Sequence, residues 1–168
     1  SLHWKDWSGY HAVCSYDTHH DPEYQALRQA AGLLDVSPLF KYDVTGPDAG
    51  ALLSYLLVRD VEQLAQDRVT YTCWCTEAGE LLDDGTVARL GDEHYRLTSA
   101  EPALWWLERL RPGFDVQLRE RTAELATLAL QGVGGGRQSF ARVSLPRPAE
   151  QQGGQLAKEK SVHPSFPL

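Results

Sequence analysis

Apolar residues recur at helical spacing after residue 21 and predict the first helix of the chain. Asp21 suits the N-cap, and Pro22 suits the first helical position, where no N–H is needed. The apolar positions, three or four residues apart, are Tyr24, Leu27, Ala31 and Leu34. Gly32 lies near the end of the pattern and is a candidate C-terminal signal. We therefore expect a helix within residues 21–35.

The following segment changes from a helical to an alternating period. Residues 40–45 alternate apolar and polar side chains, which predicts a half-buried strand. The apolar set is Phe40, Tyr42 and Val44, and the polar set is Lys41, Asp43 and Thr45. Gly46 and Pro47 interrupt the strand, and Pro47 can open a helix. The apolar stripe of that helix comprises Ala49, Leu52, Leu53, Leu56 and Leu57.

The rest of the patterned region continues with strands and one more helix. The predicted elements are strands over residues 69–76, 81–90 and 94–98, a helix over 99–110, and strands over 114–119 and 125–131. A hairpin turn falls within residues 77–80. Hairpins combined with crossover helices indicate an α+β fold with a mixed sheet.

Composition divides the chain near residue 132. The 168 residues are 42% hydrophobic, enough to bury a core. Residues 1–131 carry a net charge of −10, whereas residues 132–168 carry +3 and are rich in Gly, Pro, Gln and Ser. A segment of this composition buries too little surface to offset its ordering entropy. We expect one compact domain over residues 1–131 and a disordered tail over residues 132–168, with a brief helical turn near Leu156.

Charge and hydropathy exclude two classes of partner. The net charge of −7 argues against a general nucleic-acid binder, which needs clustered Lys and Arg to displace counterions. No apolar run approaches the roughly 20 residues that cross a bilayer, and we find no secretory signal. We therefore expect no nucleic-acid partner, no membrane partner and a cytoplasmic location.

The cysteines and histidines give little indication of metal or redox chemistry. Cys14, Cys73 and Cys75 do not form the even set typical of a disulfide scaffold. Cys73 and Cys75 point to one face of a predicted strand, but no further ligands at metal-binding spacing accompany them. We expect ordinary buried thiols. His19 and His20 fit a loop that enters a helix, so we expect no metal.

Two adjacent carboxylates, Asp83 and Asp84, lie where a half-buried strand is predicted. One interpretation is a polar turn in which both are solvated. The other is a ligand site. Successive strand residues point to opposite faces, so only one of the two would then face the ligand.

Six stretches, in order, resemble the aminomethyltransferase family, which contains the glycine-cleavage T-protein and its folate-dependent relatives. They are EYQALRQAAGLLDVS (23–37), VTGPDAGALLSYLLVRDVEQL (44–64), the strand around Tyr71, TEAGELLDDGTVARL (76–90), YRLTSAEPALWWL (95–107) and LALQG (128–132). The resemblance covers roughly residues 10–132 and corresponds to the N-terminal part of family members. It implies the N-terminal folate-binding region of that fold, in a chain that is truncated relative to the family.

Several positions depart from the family pattern. The differing residues are Pro38-Leu39 in place of His-Met, Arg59 and Thr76 each in place of Asn, Glu80 in place of the second glycine of the turn, and Gly85 in place of a hydrophobic residue. These differences favour the broader group that demethylates N-, O- or S-methyl compounds with tetrahydrofolate over the glycine-cleavage enzyme itself.

The resemblance also implies a site. Asp84 matches the family's functional carboxylate, which would bind folate N–H groups and stabilise positive charge as the one-carbon group moves, so Asp84 is the candidate catalytic residue. Tyr71 matches a folate-contacting tyrosine, and a core position is its alternative. Thr86 and Val87 would offer backbone contacts to the folate. Ser99 lies where the family often has an Asn near the substrate.

Three functions remain open. The first is transfer of a methyl or aminomethyl group from a small-molecule donor, with tetrahydrofolate as cofactor. The second is a non-catalytic, partial folate-binding module. The third is a folate-binding protein that assists iron–sulfur assembly or tRNA modification, although that group carries its cysteine motif in a later region. In the family this domain packs against others, so we expect self-association through exposed apolar surface.

Overall fold

In the computed structural model of this chain, the described part comprises residues 3–132 and the backbone of residues 139–144. These residues divide into two compact units. The first draws on Ser1–Pro38 and Ala123–Leu168, and the second is Leu39–Thr122. The sequence predicted a single domain for the same stretch, whereas the chain leaves the first unit, builds the second and then returns.

The first unit contains one helix and two small sheets. Its elements are β1 (Trp4–Trp7), β2 (Tyr10–Val13), α1 (Asp21–Gln29), β3 (Gly32–Asp35), β9 (Leu125–Gln131) and β10 (Ser139–Ser144). β1 and β2 form an antiparallel hairpin. β9 lies between β3 and β10, and both of its pairings are antiparallel.

The first helix is shorter than the sequence predicted. α1 ends at Gln29, and Leu34, which fitted the helical period, lies in β3. There it is paired with Ala129, almost a hundred residues away in the chain. Hydrogen bonding to this distant strand outweighs the local periodicity. The helix also starts differently, because its N-cap is His20 rather than Asp21.

The second unit is a five-stranded sheet with two helices. Its elements are β4 (Phe40–Thr45), α2 (Ala49–Leu56), β5 (Val69–Cys75), β6 (Leu81–Gly91), β7 (His94–Ser99), α3 (Leu104–Leu110) and β8 (Gln117–Glu120). The strand order is β5-β6-β7-β4-β8. The α+β class is thus confirmed. Neighbouring strands are all antiparallel rather than mixed, because the two crossovers join strands that are not neighbours.

One face of this sheet, which we call the core face, forms a hydrophobic core together with α2 and α3. The predicted stripe of α2 is confirmed, since Leu52, Leu53, Leu56 and Leu57 are buried. Trp74 of β5 stacks on Trp106 of α3 with ring centroids 5.7 Å apart. Burial of one large apolar side chain contributes about 1.5–3 kcal/mol. Within the described residues, no helix is long and apolar enough to cross a membrane.

β4 is buried on both faces, so the prediction of a half-buried strand is wrong. Tyr42 and Val44 face the core as expected, but Lys41 and Asp43 on the other face are also inaccessible. Both charges have partners there. The Lys41 ammonium donates to a main-chain carbonyl at 2.7 Å, and the Asp43 carboxylate pairs with Arg96.

The cysteine prediction also needs correction. All three thiols are free, but Cys14 is exposed, and Cys73 and Cys75 are only partly buried. The cause lies in β5, which turns Trp74 toward the core and its cysteines to the opposite side. Two element boundaries also differ, since α3 begins at Leu104 rather than near residue 99, and β8 covers Gln117–Glu120 rather than residues 114–119.

The segment predicted to be a disordered tail contributes one strand to the described structure. The backbone of residues 139–144 pairs with β9 as β10. The other residues of that segment after Gly132 lie outside the described part of the chain, as does the helical turn predicted near Leu156. The domain boundary at residue 132 stays a prediction.

Candidate functional site

The sheet face opposite the core carries the candidate site, and we call it the polar face. Across four strands the ladder aligns one row of its residues: Tyr71, Thr86, Thr98 and Lys41. Paired residues of antiparallel strands point to the same side. Asp84 precedes Thr86 by two residues on β6 and shares this face. Three residues proposed from the sequence, Tyr71, Asp84 and Thr86, are thus brought together on adjacent strands.

A tight turn joins β5 to β6. The Thr76 N–H donates to the Glu80 carbonyl at 2.8 Å, and the Gly79 N–H donates to the Thr76 carbonyl at 2.9 Å. Gly79 has φ of 83°, a left-handed conformation that glycine adopts without strain. A register shift next to Trp74 separates this turn from the regular ladder that places Asp84 on the polar face.

Asp84 and Tyr71 are hydrogen bonded to each other. The Tyr71 hydroxyl donates to Oδ2 of Asp84. The tyrosine is 62% exposed and the aspartate partly buried, so the core alternative for Tyr71 is wrong. Within residues 3–132, no donor contacts the second oxygen, Oδ1. The pair therefore presents a carboxylate oxygen that has no donor among these residues, beside an accessible aromatic ring.

Asp83 points away from Asp84, as expected for neighbours in a strand. Its Oδ1 accepts the N–H of Asp84 at 2.8 Å, and its Oδ2 accepts the N–H of Glu101 at 3.0 Å. The structure thus places the two carboxylates on opposite faces of β6, where each is partly buried and hydrogen bonded rather than fully solvated.

Gly85 lets β6 approach β7 closely next to Asp84. A β-carbon at this position would lie 1.9 Å from the carbonyl oxygen of Thr98, which is far inside van der Waals contact. Any larger residue would push the two strands apart. Gly85 therefore helps to set the position of the Asp84 backbone relative to β7.

The two residues proposed to offer backbone contacts lie on opposite faces. Thr86 is partly buried on the polar face, opposite Tyr71. The Val87 side chain is fully buried in the core. Its backbone is flanked by Thr70 of β5 and Leu97 of β7. Of the two side chains, only that of Thr86 faces the site.

Ser99 is 1% exposed and supports a loop. Its hydroxyl donates to the carbonyl of Glu101 at 2.7 Å. Nearby, the Tyr42 hydroxyl accepts the N–H of Ala103 at 2.9 Å. Burial raises the pKa of Tyr42, and hydrogen bonds from Ala103 and Ser99 offset only part of this rise. These contacts fix the loop between β7 and α3, which the sequence did not indicate.

A second carboxylate on the polar face, Asp43, was missed from the sequence. Arg96 donates from Nε to Oδ1 at 2.6 Å and from Nη2 to Oδ2 at 3.0 Å. Arg121 Nη1 donates to Oδ2 at 3.0 Å, and His94 Nε2 lies 3.4 Å from the same oxygen. The alternation of His94 and Arg96 along β7 was the pattern that could have indicated a buried acid on the neighbouring strand.

These cations control the ionisation of Asp43. Burial alone raises the pKa of its carboxyl group. The hydrogen bond and charge of Arg96, aided by the charges of His94 and Arg121, outweigh this and hold the pKa below its ordinary value of 3.8. Asp43 is therefore a carboxylate whose charge is already matched within the protein.

The Asp84 end of the polar face has a different chemical capacity. An open carboxylate oxygen can accept N–H groups and stabilise a developing positive charge. An exposed tyrosine ring can pack against a flat heterocycle while its hydroxyl bonds at the edge. The combination suits a planar ligand with N–H donors.

A cleft in the first unit contains the histidines considered as metal ligands. It has a volume of about 580 Å³. Its lining includes His3, Cys14, His19, His20 and Asp21. Among the described residues, no group of three or more His, Cys, Asp or Glu side chains is arranged to hold a metal ion.

Comparison with solved structures supports the fold resemblance. The glycine cleavage system aminomethyltransferase T from Bartonella henselae matches with a TM-score of 0.71 at 27% sequence identity. The match covers 79% of this chain and 37% of that chain. The likeness to aminomethyltransferases that the sequence suggested is confirmed.

Sequence comparisons define the family. Aminomethyltransferases from two strains of Desulfitobacterium hafniense, DSM 10664 / DCB-2 and Y51, are each 36% identical to this chain over 114 residues. Each match covers 66% of this chain and 31% of the relative. That of Chloroherpeton thalassium is also 36% identical over 114 residues, with 32% of its length covered. The chain thus spans about a third of the length of these relatives. The model of the GCVT N-terminal domain matches residues 2–135, and the chain belongs to this family.

Proposed function

We propose that this chain supplies the folate-facing part of a tetrahydrofolate-dependent one-carbon transferase. A small-molecule donor would give up a methyl or aminomethyl group, and a folate nitrogen would accept it. One observation carries the proposal. In a chain of the GCVT N-terminal domain family, the partly exposed Asp84 lies on the polar face beside the exposed ring of Tyr71, and its Oδ1 has no donor among the described residues.

The roles of these residues follow from their chemistry. Asp84 would accept N–H groups of the folate and stabilise the positive charge that develops as the one-carbon group moves. Tyr71 would cover one side of the ring system and hold Oδ2 of Asp84, which leaves Oδ1 for the ligand. Thr86, opposite Tyr71, would border the same surface. Tetrahydrofolate supplies the accepting nitrogen.

Val87 and Ser99 have weaker support. The Val87 side chain is in the core, so its contribution would come from the backbone alone. The Ser99 hydroxyl is bonded to the carbonyl of Glu101 and is inaccessible, which favours an indirect role through the loop. Both remain proposed contacts through the resemblance to the family.

A second candidate is a partial folate-binding module without turnover. It is favoured by the fact that the matched region is about a third of the relatives' length. A site built from this region alone leaves much of the ligand in water, so the 168-residue chain should bind tetrahydrofolate no more tightly than about 0.1 mM. Exposed Val69 and Leu81 beside the site would favour self-association, which analytical ultracentrifugation would detect.

The test of the main proposal replaces Asp84 with Asn in a full-length relative that carries the same hairpin. An amide cannot supply the negative charge, so turnover should fall by roughly a hundred- to thousand-fold. Affinity for tetrahydrofolate should change less, because the amide oxygen still accepts a hydrogen bond. Steady-state kinetics and calorimetry measure the two quantities separately.

The matched control is the equivalent of Asp92→Asn. The Asp92 side chain is 93% exposed in the β6–β7 turn, so this variant removes the same charge away from the site. It should leave turnover unchanged. Equal turnover in the Asp84→Asn variant and the wild type would overturn the proposal. Micromolar binding of tetrahydrofolate by the 168-residue chain would instead rule out the partial site.

A further inference from the structure

We propose that Asp83 is the positioning residue of the candidate site, and this inference rests on the proposed function. Asp83 does not face the polar side. Both of its carboxylate oxygens accept main-chain N–H groups, one from Asp84 and one from Glu101. Asp83 therefore acts on a ligand only through the residue beside it.

The need for such a residue follows from the ladder between β6 and β7. Its last pair at this end joins Gly85 to Ser99. Asp84 lies one residue beyond that pair, so its backbone is paired with Cys73 of β5 on one side but with no residue of β7 on the other. Asp83 spans the gap with its side chain, because Oδ2 reaches the N–H of Glu101 at 3.0 Å, two residues after the end of β7.

The anchor at Glu101 is itself fixed to the core. Buried Ser99 donates to the Glu101 carbonyl at 2.7 Å, and the nearby Ala103 N–H donates to the buried hydroxyl of Tyr42 at 2.9 Å. The chain of contacts runs from the core through this loop to Asp83 and ends at the Asp84 backbone. The two adjacent aspartates thus have different roles. Asp83 orients the backbone of Asp84, and Asp84 contacts the ligand.

Carboxylate geometry explains why position 83 requires Asp. Two N–H groups approach its two oxygens at 2.8 and 3.0 Å. An Asn side chain has one acceptor, and its NH₂ group would meet the other N–H. A Glu side chain keeps the charge but places it one methylene farther from the backbone. Asp83→Asn and Asp83→Glu therefore disturb the contacts in independent ways.

The experiment combines a binding cycle with a spectroscopic readout on the 168-residue chain. Tetrahydrofolate affinity is measured for the wild type, Asp83→Asn, Asp84→Ala and the double variant, with Asp92→Asn as the control. Loss of one oriented contact should weaken binding about tenfold in Asp83→Asn. In the Asp84→Ala background the same change should add less than twofold, because Asp83 acts only through Asp84.

The spectroscopic readout is the NMR shift of the Tyr71 ring carbon that bears the hydroxyl, which reports the bond to Asp84. Both Asp83→Asn and Asp83→Glu should move it, whereas Asp92→Asn should not. A shift caused only by loss of the negative charge would be absent in Asp83→Glu, because Glu keeps that charge.

The outcomes separate the two proposals. A tenfold loss in both backgrounds would mean that Asp83 is merely structural, and an unmoved Tyr71 resonance in both Asp83 variants would also overturn the positioning role. If the wild type and Asp84→Ala bind tetrahydrofolate equally, the proposed function fails. The Tyr71 resonance then still decides whether Asp83 positions Asp84.

Discussion

Two carboxylates on the same polar face have opposite surroundings. Asp43 is 4% exposed and lies within 3.4 Å of three basic side chains. Asp84 is partly exposed and, among the described residues, has one side-chain partner, the hydroxyl of Tyr71. Both sit on internal strands of one sheet, so the difference lies in the neighbouring strands and not in the backbone.

The contrast teaches how to separate structural from ligand-binding acids. A buried carboxylate whose charge is matched by fixed cations contributes to folding and has little capacity for a further ligand. A carboxylate with one neutral partner and an open oxygen keeps that capacity. Exposure and partner chemistry therefore distinguish the two better than residue type does.

The largest expected effect comes from Asp43→Ala. Removing this carboxylate leaves Arg96 and Arg121 without their shared anion in a buried setting. Loss of one partner of such a cluster should lower the free energy of unfolding by about 3–5 kcal/mol. Chemical denaturation measures it, with Asp92→Asn as the control for charge. If Asp43→Ala had the same free energy of unfolding as the wild type, Asp43 would not be a structural acid, and its contrast with Asp84 would be lost.

Gly85→Ala should have the next largest effect. The new β-carbon would clash with the carbonyl of Thr98, and overpacking of this kind costs about 1–3 kcal/mol. Gly91→Ala is the matched control, since a β-carbon there meets only the His94 β-carbon at 3.7 Å. Thermal unfolding compares the two variants. Equal melting temperatures would show that β6 can move away from β7 without penalty.

Acid should remove part of the Asp43 contribution. The pKa of Asp43 is lower in the folded state than its ordinary value of 3.8, so the unfolded state takes up the proton first. The contribution of Asp43 to the free energy of unfolding is fully present above pH 3.8 and is lost as the pH falls through the folded-state pKa. Unfolding free energies between pH 7 and pH 2 should therefore fall more steeply in the wild type than in Asp43→Ala. Parallel curves would contradict the assignment.

Asp84→Asn should have the smallest effect on stability. The side chain is partly exposed and makes one side-chain bond within the described part of the chain, so the free energy of unfolding should change by less than about 1 kcal/mol. The same variant is expected to abolish most turnover in a full-length relative. A stability loss as large as that of Asp43→Ala would mean that both acids are structural.

Local patterns predicted the elements whose stability is local. The apolar stripe of α2 and the hairpin around Gly79 were found from period and turn residues alone. β3 was missed because its pairing with β9 depends on residues about a hundred positions away. No window of sequence contains both partners.

The candidate site was likewise predictable only where local patterns determine it. The alternation of strand residues correctly separated Asp83 from Asp84. It misplaced Asp43, because alternation marks a polar residue as exposed unless its cation is known. That cation, Arg96, lies on another strand and becomes a neighbour only after the sheet has formed.

The alternation along the regular part of β6, between its two register shifts, has a consequence for divergence. Residues 84, 86 and 88 face the polar side, and the residues between them face the core. Substitutions at one set can change what the protein recognises without altering how it folds, because the two sets share a backbone and no side-chain contacts across it. A lineage can therefore explore new ligands by substitution at every second position, whereas a single inserted residue would exchange the two sets at once.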